Sequence, residues 1–523
     1  MIKGSSYLSA IVLVFLFLSC RHSDSGNTEP VSHGHQYYIA EAGNDDSDGS
    51  INNPWKSIDK LNKIQLTAGD TVYFEAGKTF AGHVLIDSSD TGADKNPIVI
   101  TSFGNGRAVI DGGNGTALTV YNTKWIDVRN LVFNGAGRKA GNTKDGVIIN
   151  KCSNVFIDSI AIKGFQKCGL LINSSSNVDI KRVYATENGS AGILATGEWG
   201  KRDCSNIHIS YCKAENNPGD PTNFTNHSGN GILVGLCKNV LIEYCSATNN
   251  GWDMPRKGNG PVGIWCYEAD SVIIQHCISY KNKTAEGAAD GGGFDLDGGV
   301  TNSIIQYCLS YENAGSAFGI FQYDGASNWN NNTIRYCISE NDGSVSAAHA
   351  GAFVWNSSRD TNQFRNCFFY NNTIYNKKGA AISYEPMSEN AGFRFYNNLF
   401  IGKDSLIIGK ETNSTYLGNN WFSLEDGFNV GGVKNFTEWA NRFNKEKIDG
   451  KIVGFNIDPL FAEPGATTIT NPEDLDSFNA YQLPQNSILR NGGLDLKKLF
   501  GIDTGEKSFN GSTAPAKGIG AIF

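Results

Sequence analysis

The chain has 523 residues, of which 61 are Gly and only 3 are Met, and 18% of its residues are charged. This composition is rich in turn and β-strand formers and poor in the residues that long helices need, which excludes a mainly helical protein. The 44 basic and 52 acidic residues give a net charge of -8, so the composition offers no support for nucleic-acid binding.

The N-terminal segment has the pattern of a targeting signal. Lys3 precedes an apolar run over residues 8–18, which is too short to span a bilayer and is soon followed by Cys20. The pattern resembles a bacterial lipoprotein signal, in which cleavage before the cysteine leaves a lipidated N-terminus. We therefore expect residues 1–19 to be a signal peptide and residues 20–35 a flexible tether. This predicts lipid anchoring in a bacterial cell envelope, at the outer membrane, on its periplasmic or its surface side.

Regularly spaced cysteines mark a repeat in the central part of the chain. Their spacings are 33, 32, 31, 29 and 30 residues, and each lies in a similar string such as LIEYCSATN or IIQYCLSYEN. The six cysteines are Cys212, Cys245, Cys277, Cys308, Cys337 and Cys367. Similar strings upstream and downstream extend the repeat to about ten units. Within each unit a second apolar segment follows a glycine, for example Gly263, Gly293 or Gly319, so each unit is predicted to be one coil of short β-strands.

One such coil cannot bury an apolar face alone, whereas stacked coils form parallel sheets with a continuous interior. Stacking places like residues above one another, so the six cysteines are expected to form one inward column. We interpret them as small buried side chains and not as disulfides, because parallel Cβ vectors on adjacent coils suit a disulfide poorly. A second column, at a turn, is predicted to form an asparagine ladder from Asn216, Asn249, Asn282, Asn313 and Asn341.

With these repeats the chain resembles the right-handed parallel β-helix proteins of the pectate-lyase-like superfamily, most of which bind or cleave polysaccharides. The resemblance implies an all-β fold, a right-handed parallel β-helix solenoid of about ten coils over residues 36–402. An amphipathic helix over residues 55–66 would cap its N-terminal end. Residues 403–523 lose the repeat and are expected to form a C-terminal cap region that includes a helix over residues 436–447.

Three neighbouring coils carry unusual residues at positions predicted to point outward. By the period of two, the second and fourth residues after each glycine face away from the core. Here these residues are Trp265, Tyr267, Asp295, Asp297, Phe321 and Tyr323, with Glu268 and Asp324 at the strand ends. Aromatic rings beside carboxylates are suited to a sugar chain, since rings stack on sugar C–H faces and carboxylates bind hydroxyls or transfer protons. The alternative is that the aromatic rings lie beneath a long loop such as 251–262 or 283–292.

The carboxylates suggest two kinds of chemistry. Asp295 and Asp297, two residues apart on one strand, have backbones about 6.6 to 6.8 Å apart, which side-chain freedom brings within the range of an inverting glycosidase pair. Asp324 on the next coil offers a closer partner to Asp297, which leaves a retaining mechanism open. His227, in the loop string NHSGNG, is either a further acid–base or hydroxyl-binding group or a structural residue.

The rival interpretation is a calcium site built from Asp290, Asp295 and Asp297, with Glu268 as a further donor. The string DGGGFDL resembles the calcium strand of some β-helix pectate lyases, in which the ion neutralises a uronate and a lysine on a following strand removes a proton. The following strand here, GIFQYD, has no lysine, so a base would have to come from a loop. The basic residues in the nearby loops are Arg256, Lys257, Lys281 and Lys283. Because this part of the chain is strongly acidic, either calcium is present or the substrate is largely neutral.

Three functions remain open at this stage. The favoured one is a lipid-anchored glycoside hydrolase that needs no cofactor and acts on an extracellular polysaccharide. The second is a calcium-dependent polysaccharide lyase or uronate epimerase, and the third is a non-catalytic glycan-binding solenoid. We expect a monomer that contacts the membrane only through its N-terminal lipid.

Overall fold

The computed structural model describes residues 34–345 and 349–523. The predictions for the signal peptide, for Cys20 and for most of the tether lie outside the described residues. The described chain is a parallel β-helix, which confirms the predicted fold: each coil contributes one strand to each of three long sheets, and every strand pairs with the strands one coil before and after it.

Within the described residues the three sheets contain 14, 12 and 13 strands, always stacked in chain order. The first sheet consists of Gln36–Ile39, Thr71–Glu75, Ile98–Phe103, Lys124–Arg129, Ser153–Asp158, Ser176–Lys181, Cys204–Ser210, Cys237–Glu243, Asp270–Gln275, Ile304–Gln306, Trp329–Arg335, Phe364–Tyr370, Arg394–Tyr396 and Thr415–Leu417. The second sheet consists of Val84–Ile86, Leu118–Tyr121, Val147–Asn150, Cys168–Asn173, Ala191–Thr196, Asn230–Gly235, Val262–Tyr267, Gly292–Leu296, Phe318–Gln322, Ala352–Asn356, Ile382–Tyr384 and Ile407–Ile408. The third sheet consists of Thr79–Ala81, Ala108–Gly113, Leu131–Gly135, Ala161–Lys163, Tyr184–Thr186, Lys213–Glu215, Ser246–Thr248, Ile278–Tyr280, Leu309–Tyr311, Ile338–Glu340, Thr373–Asn376, Leu399–Gly402 and Asn420–Ser423.

The core runs along the axis of the solenoid and is built from stacked identical positions. Ile209, Ile242, Ile274 and Ile305 pair in register on successive strands and are all fully buried. Five of the six cysteines of the repeat, from Cys212 to Cys337, form a buried column beside them, as predicted. The prediction was wrong for Cys367, which is buried inside its strand and pairs with Asn332, while Asn372 takes the column position. The eleven cysteines in the described part of the chain are all free thiols. The thiol of Cys245 illustrates the pattern, because it donates to the carbonyl oxygens of Glu243, at 3.2 Å, and of Ile209, at 3.5 Å.

The asparagines predicted to share one column occupy two adjacent positions, and one of these positions forms a continuous ladder. The buried ladder runs through Asn188, Asn217, Asn250, Asn282 and Asn313, each amide donating to the next, and ends at Asp342. Asn216, Asn249 and Asn341 lie one residue earlier and adopt left-handed backbone. The prediction that all five residues share one column was therefore wrong for these three, because the ladder position always lies five residues after the cysteine of its coil and they lie four residues after it.

The helices are shorter than predicted. The first helix, α1 (Ile58–Leu61), begins after the N-cap Ser57, because Trp55 instead forms a parallel bridge with Ile39. The second helix, α2 (Phe436–Arg442), ends before residue 447, since the strand Lys447–Ile448 starts an antiparallel hairpin with Lys451–Ile452. No helix in residues 34–345 and 349–523 is long and apolar enough to cross a membrane.

The region after residue 402 is partly solenoid and partly a cover along its side. Strands continue the three sheets as far as Asn420–Ser423. Two 3₁₀ helices, Pro472–Ser477 and Ile488–Arg490, then bury apolar side chains against the outer face of the third sheet. A last helix, α3 (Leu496–Phe500), packs on the first sheet, where Phe500 stacks on Tyr396 at 4.9 Å. The C-terminal region therefore covers the outer face of the third sheet.

Candidate functional site

The candidate site lies on the outer face of the second sheet. Trp265 and Asp295 pair across two neighbouring strands. Phe294 and Leu296, on either side of Asp295, are both buried in the core. Because side chains alternate along a strand, Asp295 points to the outer face, which is the orientation predicted from the sequence.

The register of the next strand differs from the prediction by two residues. Asp295 pairs with Gly319, and Leu296 pairs with Ile320. The prediction took Gly319 as the residue that opens the strand, equivalent to Gly293, but that position belongs to Ala317. The sequence was misleading at this point because Gly319 is followed by apolar residues, as are the glycines that open the strands of other coils.

This shift moves the two aromatic residues predicted to flank the carboxylates. Phe321 follows the Leu296–Ile320 pair, so it lies in the row of Asp297 and not beside Asp295. It packs edge-on against Phe353 and Trp355 of the following strand and is buried. Tyr323 lies beyond the end of its strand. The prediction that Phe321 and Tyr323 continue the rows of Asp295 and Asp297 was therefore wrong.

Asp295 is the most unusual ionisable residue of this face. Its side chain is 3% exposed, and its Oδ1 atom is buried without a hydrogen-bond partner among the described residues. Burial raises the pKa of Asp295 well above its usual value, and the negative charges of Asp297 and Asp290 raise it further. A buried carboxyl group with an oxygen that lacks a hydrogen bond lowers the stability of the folded protein. Such groups are concentrated at functional sites.

Asp297 is half-buried and directly follows the same strand, Gly292–Leu296. The Gly298 N–H donates to its Oδ1 at 2.7 Å. Burial raises the pKa of Asp297 to about 7, although the Gly298 hydrogen bond opposes the shift, and the charges of Asp290 and Glu268 add to it. The carboxyl can therefore gain or lose a proton near neutral pH.

Asp290 enters from the loop before the strand. Its backbone is left-handed, with φ of 58°, and its Oδ2 accepts the Gly260 N–H at 2.7 Å. Burial raises the pKa of Asp290 to about 6, against the Gly260 hydrogen bond and the positive charge of Arg256. Of the four basic loop residues considered from the sequence, Arg256 is the one whose charge acts on this acidic group. Lys281 instead pairs with Glu312 at 3.6 Å, at the end of the third sheet.

His227 and Trp265 are held together by Asn230, which sequence reasoning missed. The rings of His227 and Trp265 meet edge-on at 4.9 Å. Asn230 is buried at the start of its strand, and its Oδ1 accepts the indole N–H of Trp265 at 3.0 Å while its Nδ2 contacts Nδ1 of His227 at 3.0 Å. Burial lowers the pKa of His227 to about 4, and the charge of Arg256 contributes. No local pattern marks Asn230, because its partners lie on a neighbouring strand and in a loop.

Glu268 lines a polar cavity of about 430 Å³, and its charge acts on Asp297. Its carboxylate accepts the Ser327 N–H at 2.7 Å and lies 3.6 Å from the guanidinium of Arg202. Arg202, also missed from the sequence, donates to the carbonyl oxygens of Glu268 and Gly299. Asp324 is exposed on the turn after its strand, where its N–H donates to Ser357 Oγ at 3.0 Å. It has none of the burial that distinguishes Asp295 and Asp297.

The aromatic residues are less open than a sugar-stacking surface would require. Trp265 is 3% exposed and packs with Leu233 and Val262, so the alternative of a covered aromatic ring fits it better. Tyr267 and Tyr323 are half-buried. Their rings lie over Gly235 and Gly298, where a Cβ atom would come within 2.4 Å of them. The outer face therefore has two half-buried tyrosines close to Asp297.

Comparison with known proteins places the fold in a family. The family model described as Pel9A-like, right handed beta helix region matches residues 37–390, more than half of the chain. The chain belongs to this Pel9A-like family. A search of curated proteins found no match.

Solved structures resemble this Pel9A-like chain at low identity. The native lacto-N-biosidase of family GH136 from Eubacterium ramulus is 15% identical, with a TM-score of 0.45, over 73% of this chain and 68% of that one. Pectate lyase Pel9A is 14% identical, with a TM-score of 0.45, over 94% of this chain and 98% of that one. An alginate lyase from Paenibacillus sp. str. FPU-7 is 16% identical, with a TM-score of 0.36, over 64% and 95%. These similarities concern the fold alone.

A calcium ion does not fit this Pel9A-like site as the described residues are arranged. Asp290, Asp295 and Asp297 offer the oxygen donors that calcium prefers. No group of three or more His, Cys, Asp or Glu side chains in residues 34–345 and 349–523 is arranged to hold a metal ion. We therefore derive no chemical step through calcium.

Proposed function

We propose that this protein is a polysaccharide-degrading enzyme, a glycoside hydrolase that uses Asp295 and Asp297 as its paired carboxyl groups. The observation that supports the proposal most is the Asp295 carboxyl, buried on an outward face with Oδ1 unpartnered and its pKa strongly raised. A structural aspartate in this position would be expected to have hydrogen-bond partners for both oxygens. An acid that must hold a proton at neutral pH requires this environment.

The two carboxyl groups suit different roles. Asp295 has the more strongly raised pKa, so it is the group that remains protonated and can protonate the oxygen of the leaving sugar. Asp297 has a pKa of about 7 and is more exposed, so it can lose its proton and activate a water molecule. Their spacing of two residues along a strand matches the wider separation of inverting enzymes. We therefore propose an inverting mechanism.

The charge of the site favours a largely neutral polysaccharide as substrate. The charges of Asp297 and Asp290 raise the pKa of Asp295, those of Asp290 and Glu268 raise the pKa of Asp297, and the positive charge of Arg256 acts on Asp290. A polyuronate would bring further negative charge to this surface and be repelled by it.

A digest of a polysaccharide panel tests the proposal. Hydrolysis is expected to release reducing ends from a neutral polysaccharide without an increase in ultraviolet absorbance, with inversion at the anomeric carbon by NMR. An increase in absorbance would instead identify a lyase, because elimination creates a conjugated double bond. Tight binding without any cleavage would identify a glycan-binding solenoid.

The second candidate function is a polysaccharide lyase, and membership of the Pel9A-like family favours it. One solved protein of similar fold is a pectate lyase and another an alginate lyase. Chelation separates the candidates if activity is found. Loss of activity with EDTA and its recovery with added calcium would support a calcium-dependent lyase or epimerase, whereas unchanged activity would support the hydrolase.

Surface anchoring through a lipid on Cys20 is part of the proposal, and it rests on the sequence pattern alone. The full chain expressed in a Gram-negative host is expected to partition into Triton X-114 and to incorporate labelled palmitate. The Cys20→Ala variant should do neither, and equal labelling of both proteins would contradict the anchor.

A further inference from the structure

The amide group of Asn230 has an orientation fixed by its surroundings. Its Oδ1 accepts two hydrogen bonds, from the indole N–H of Trp265 at 3.0 Å and from the backbone N–H of Val262 at 3.3 Å. Both groups can only donate. Its Nδ2 donates to the carbonyl oxygen of Ser190 at 3.1 Å, which can only accept. If the amide were rotated by 180°, its NH₂ group would face the N–H groups of Trp265 and Val262, and its oxygen would face the carbonyl oxygen of Ser190.

This orientation determines which nitrogen of His227 carries the proton. The remaining hydrogen of Asn230 Nδ2 points to His227 Nδ1, 3.0 Å away. Nδ1 must therefore accept, and a neutral ring then has its proton on Nε2. Among the described residues Nε2 has no hydrogen-bond partner, and His227 is a partly exposed residue of the loop beside the outer face. Arg256, whose charge acts on the same ring, opposes a second proton.

We propose that His227 is a neutral hydrogen-bond donor that binds a hydroxyl or ring oxygen of a saccharide through Nε2–H, and that Asn230 is the positioning residue that fixes this tautomer. The ligand part of this inference rests on the proposed function. His227 is thereby assigned to binding and not to proton transfer, because the ring neither gives up its Nε2 proton nor accepts one at Nδ1 while Asn230 donates to it. The same amide holds the indole of Trp265, so one buried residue positions both rings.

The tautomer can be measured without any substrate. Long-range ¹H–¹⁵N correlation spectra of the full chain labelled with [¹⁵N]histidine resolve the two ring nitrogens, and His227→Gln assigns its signal among the 8 histidines of the sequence. At pH 7 we expect the wild-type ring to be neutral with its proton on Nε2. A proton on Nδ1, or an imidazolium, would overturn the proposal.

The Asn230→Asp variant tests the positioning role. It keeps an oxygen toward Trp265 and places a second oxygen opposite His227 Nδ1, so the proton should move to Nδ1 or the ring should become charged. The matched control is Asn239→Asp, an exposed asparagine that donates to Asn206 on the first sheet and should leave the His227 signals unchanged. An unchanged tautomer in Asn230→Asp would overturn the positioning role.

The ligand role is tested by calorimetry in the Asp295→Asn background, with xylohexaose, mannohexaose, cellohexaose and trigalacturonate as probes. Glutamine presents an N–H close to the position of His Nε2, so His227→Gln should bind a neutral hexaose within about threefold of the parent, whereas His227→Leu should bind about tenfold more weakly. Equal binding by both variants would overturn the donor role and leave the proposed function standing. Binding of none of the four saccharides would overturn the donor role together with the proposed function, and the tautomer would still be decided by the spectra.

Discussion

The carboxylate of Asp295 lies against Gly319 on the neighbouring strand, where an added Cβ atom would be only 2.7 Å from Oδ1. Non-bonded carbon and oxygen atoms do not approach so closely. The absence of a side chain at residue 319 therefore provides the space into which the carboxyl group fits, and the position of the proposed acid depends on a glycine one coil away.

The Gly319→Ala variant should impair catalysis more than folding. The methyl group forces the Asp295 carboxyl to move, and a displacement of about 1 Å costs on the order of 10²-fold in rate. Overpacking should lower the free energy of unfolding by about 1–3 kcal/mol, so the variant should remain folded. Specific activity on the best substrate, together with urea unfolding, checks both expectations.

Gly115→Ala is the matched control for this variant. Its added Cβ would meet only the Gly112 carbonyl oxygen, at 3.4 Å, on a coil far from the site. Its activity should remain at the wild-type level. Equal activity in both glycine variants would show that the Asp295 position does not limit the reaction.

Asp295→Asn should lose activity and gain stability at neutral pH. Removing proton transfer from a general acid costs on the order of 10² to 10⁴ in rate. The raised pKa means that the wild-type fold loses stability as the pH rises above the usual carboxyl range, since folding then requires proton uptake. The variant has no such penalty, so its advantage in urea unfolding should be larger at pH 7.5 than at pH 4.5.

The loss of activity is what distinguishes a catalytic acid from a structural one. A buried structural aspartate with a raised pKa would gain stability at neutral pH in the same way but would not lose activity. Full activity in Asp295→Asn, with the same gain in stability, would remove the carboxyl from the mechanism while leaving the account of its burial intact.

The fold could be predicted from the sequence because a solenoid repeats its own environment. Cys245, Cys277 and Cys308 occupy equivalent positions, so their spacing indicates the coil length and their small size indicates an inward column. The register at Gly319 could not be predicted in the same way. There the coil length changes by a few residues, and either of two small residues, Ala317 or Gly319, could be aligned with Gly293 of the preceding coil.

The site was predictable in part for the same reason. Asp295 could be identified because the equivalent outward-facing positions of most other coils carry aliphatic side chains. Asn230, Arg202 and the covered state of Trp265 depend on loops whose paths no repeat specifies. The interaction of Asn230 with His227 and Trp265 joins a strand, a loop and the next coil, and such a contact exists only once the coils are stacked.

The thiol column predicts insensitivity to reductant. The described cysteines are free, and burial raises the pKa of Cys212 and Cys308 well above that of an ordinary thiol. Dithiothreitol should therefore leave the melting temperature unchanged, and iodoacetamide at pH 8 should not modify these residues in the folded protein. A reductant-dependent shift, or rapid labelling of native protein by mass spectrometry, would contradict the buried column.

The buried asparagine ladder predicts a pH-dependent loss of stability through its last residue, Asp342. Two N–H groups of Asn313 donate to Asp342 Oδ1, at 2.8 and 3.0 Å, and Ser339 Oγ donates to Oδ2 at 2.8 Å. Despite these bonds, complete burial raises the pKa of Asp342 to about 7. The folded protein therefore binds a proton that the unfolded chain releases near pH 4, and stability falls as the pH rises from about 4 to 7.

Asp342→Asn should remove this part of the pH dependence. An asparagine continues the ladder, because its Oδ1 accepts from Asn313 in the same way and the Ser339 hydroxyl can rotate to accept from the new amide. The free energy of unfolding of the variant should exceed that of the wild type at pH 7.5 by on the order of 1 to 4 kcal/mol, and the difference should vanish at pH 4. Asp324→Asn, on an exposed turn, is the control and should leave the pH profile unchanged. Loss of stability in Asp342→Asn at every pH would mean that the ladder requires the negative charge, and that the proton is not held at Asp342.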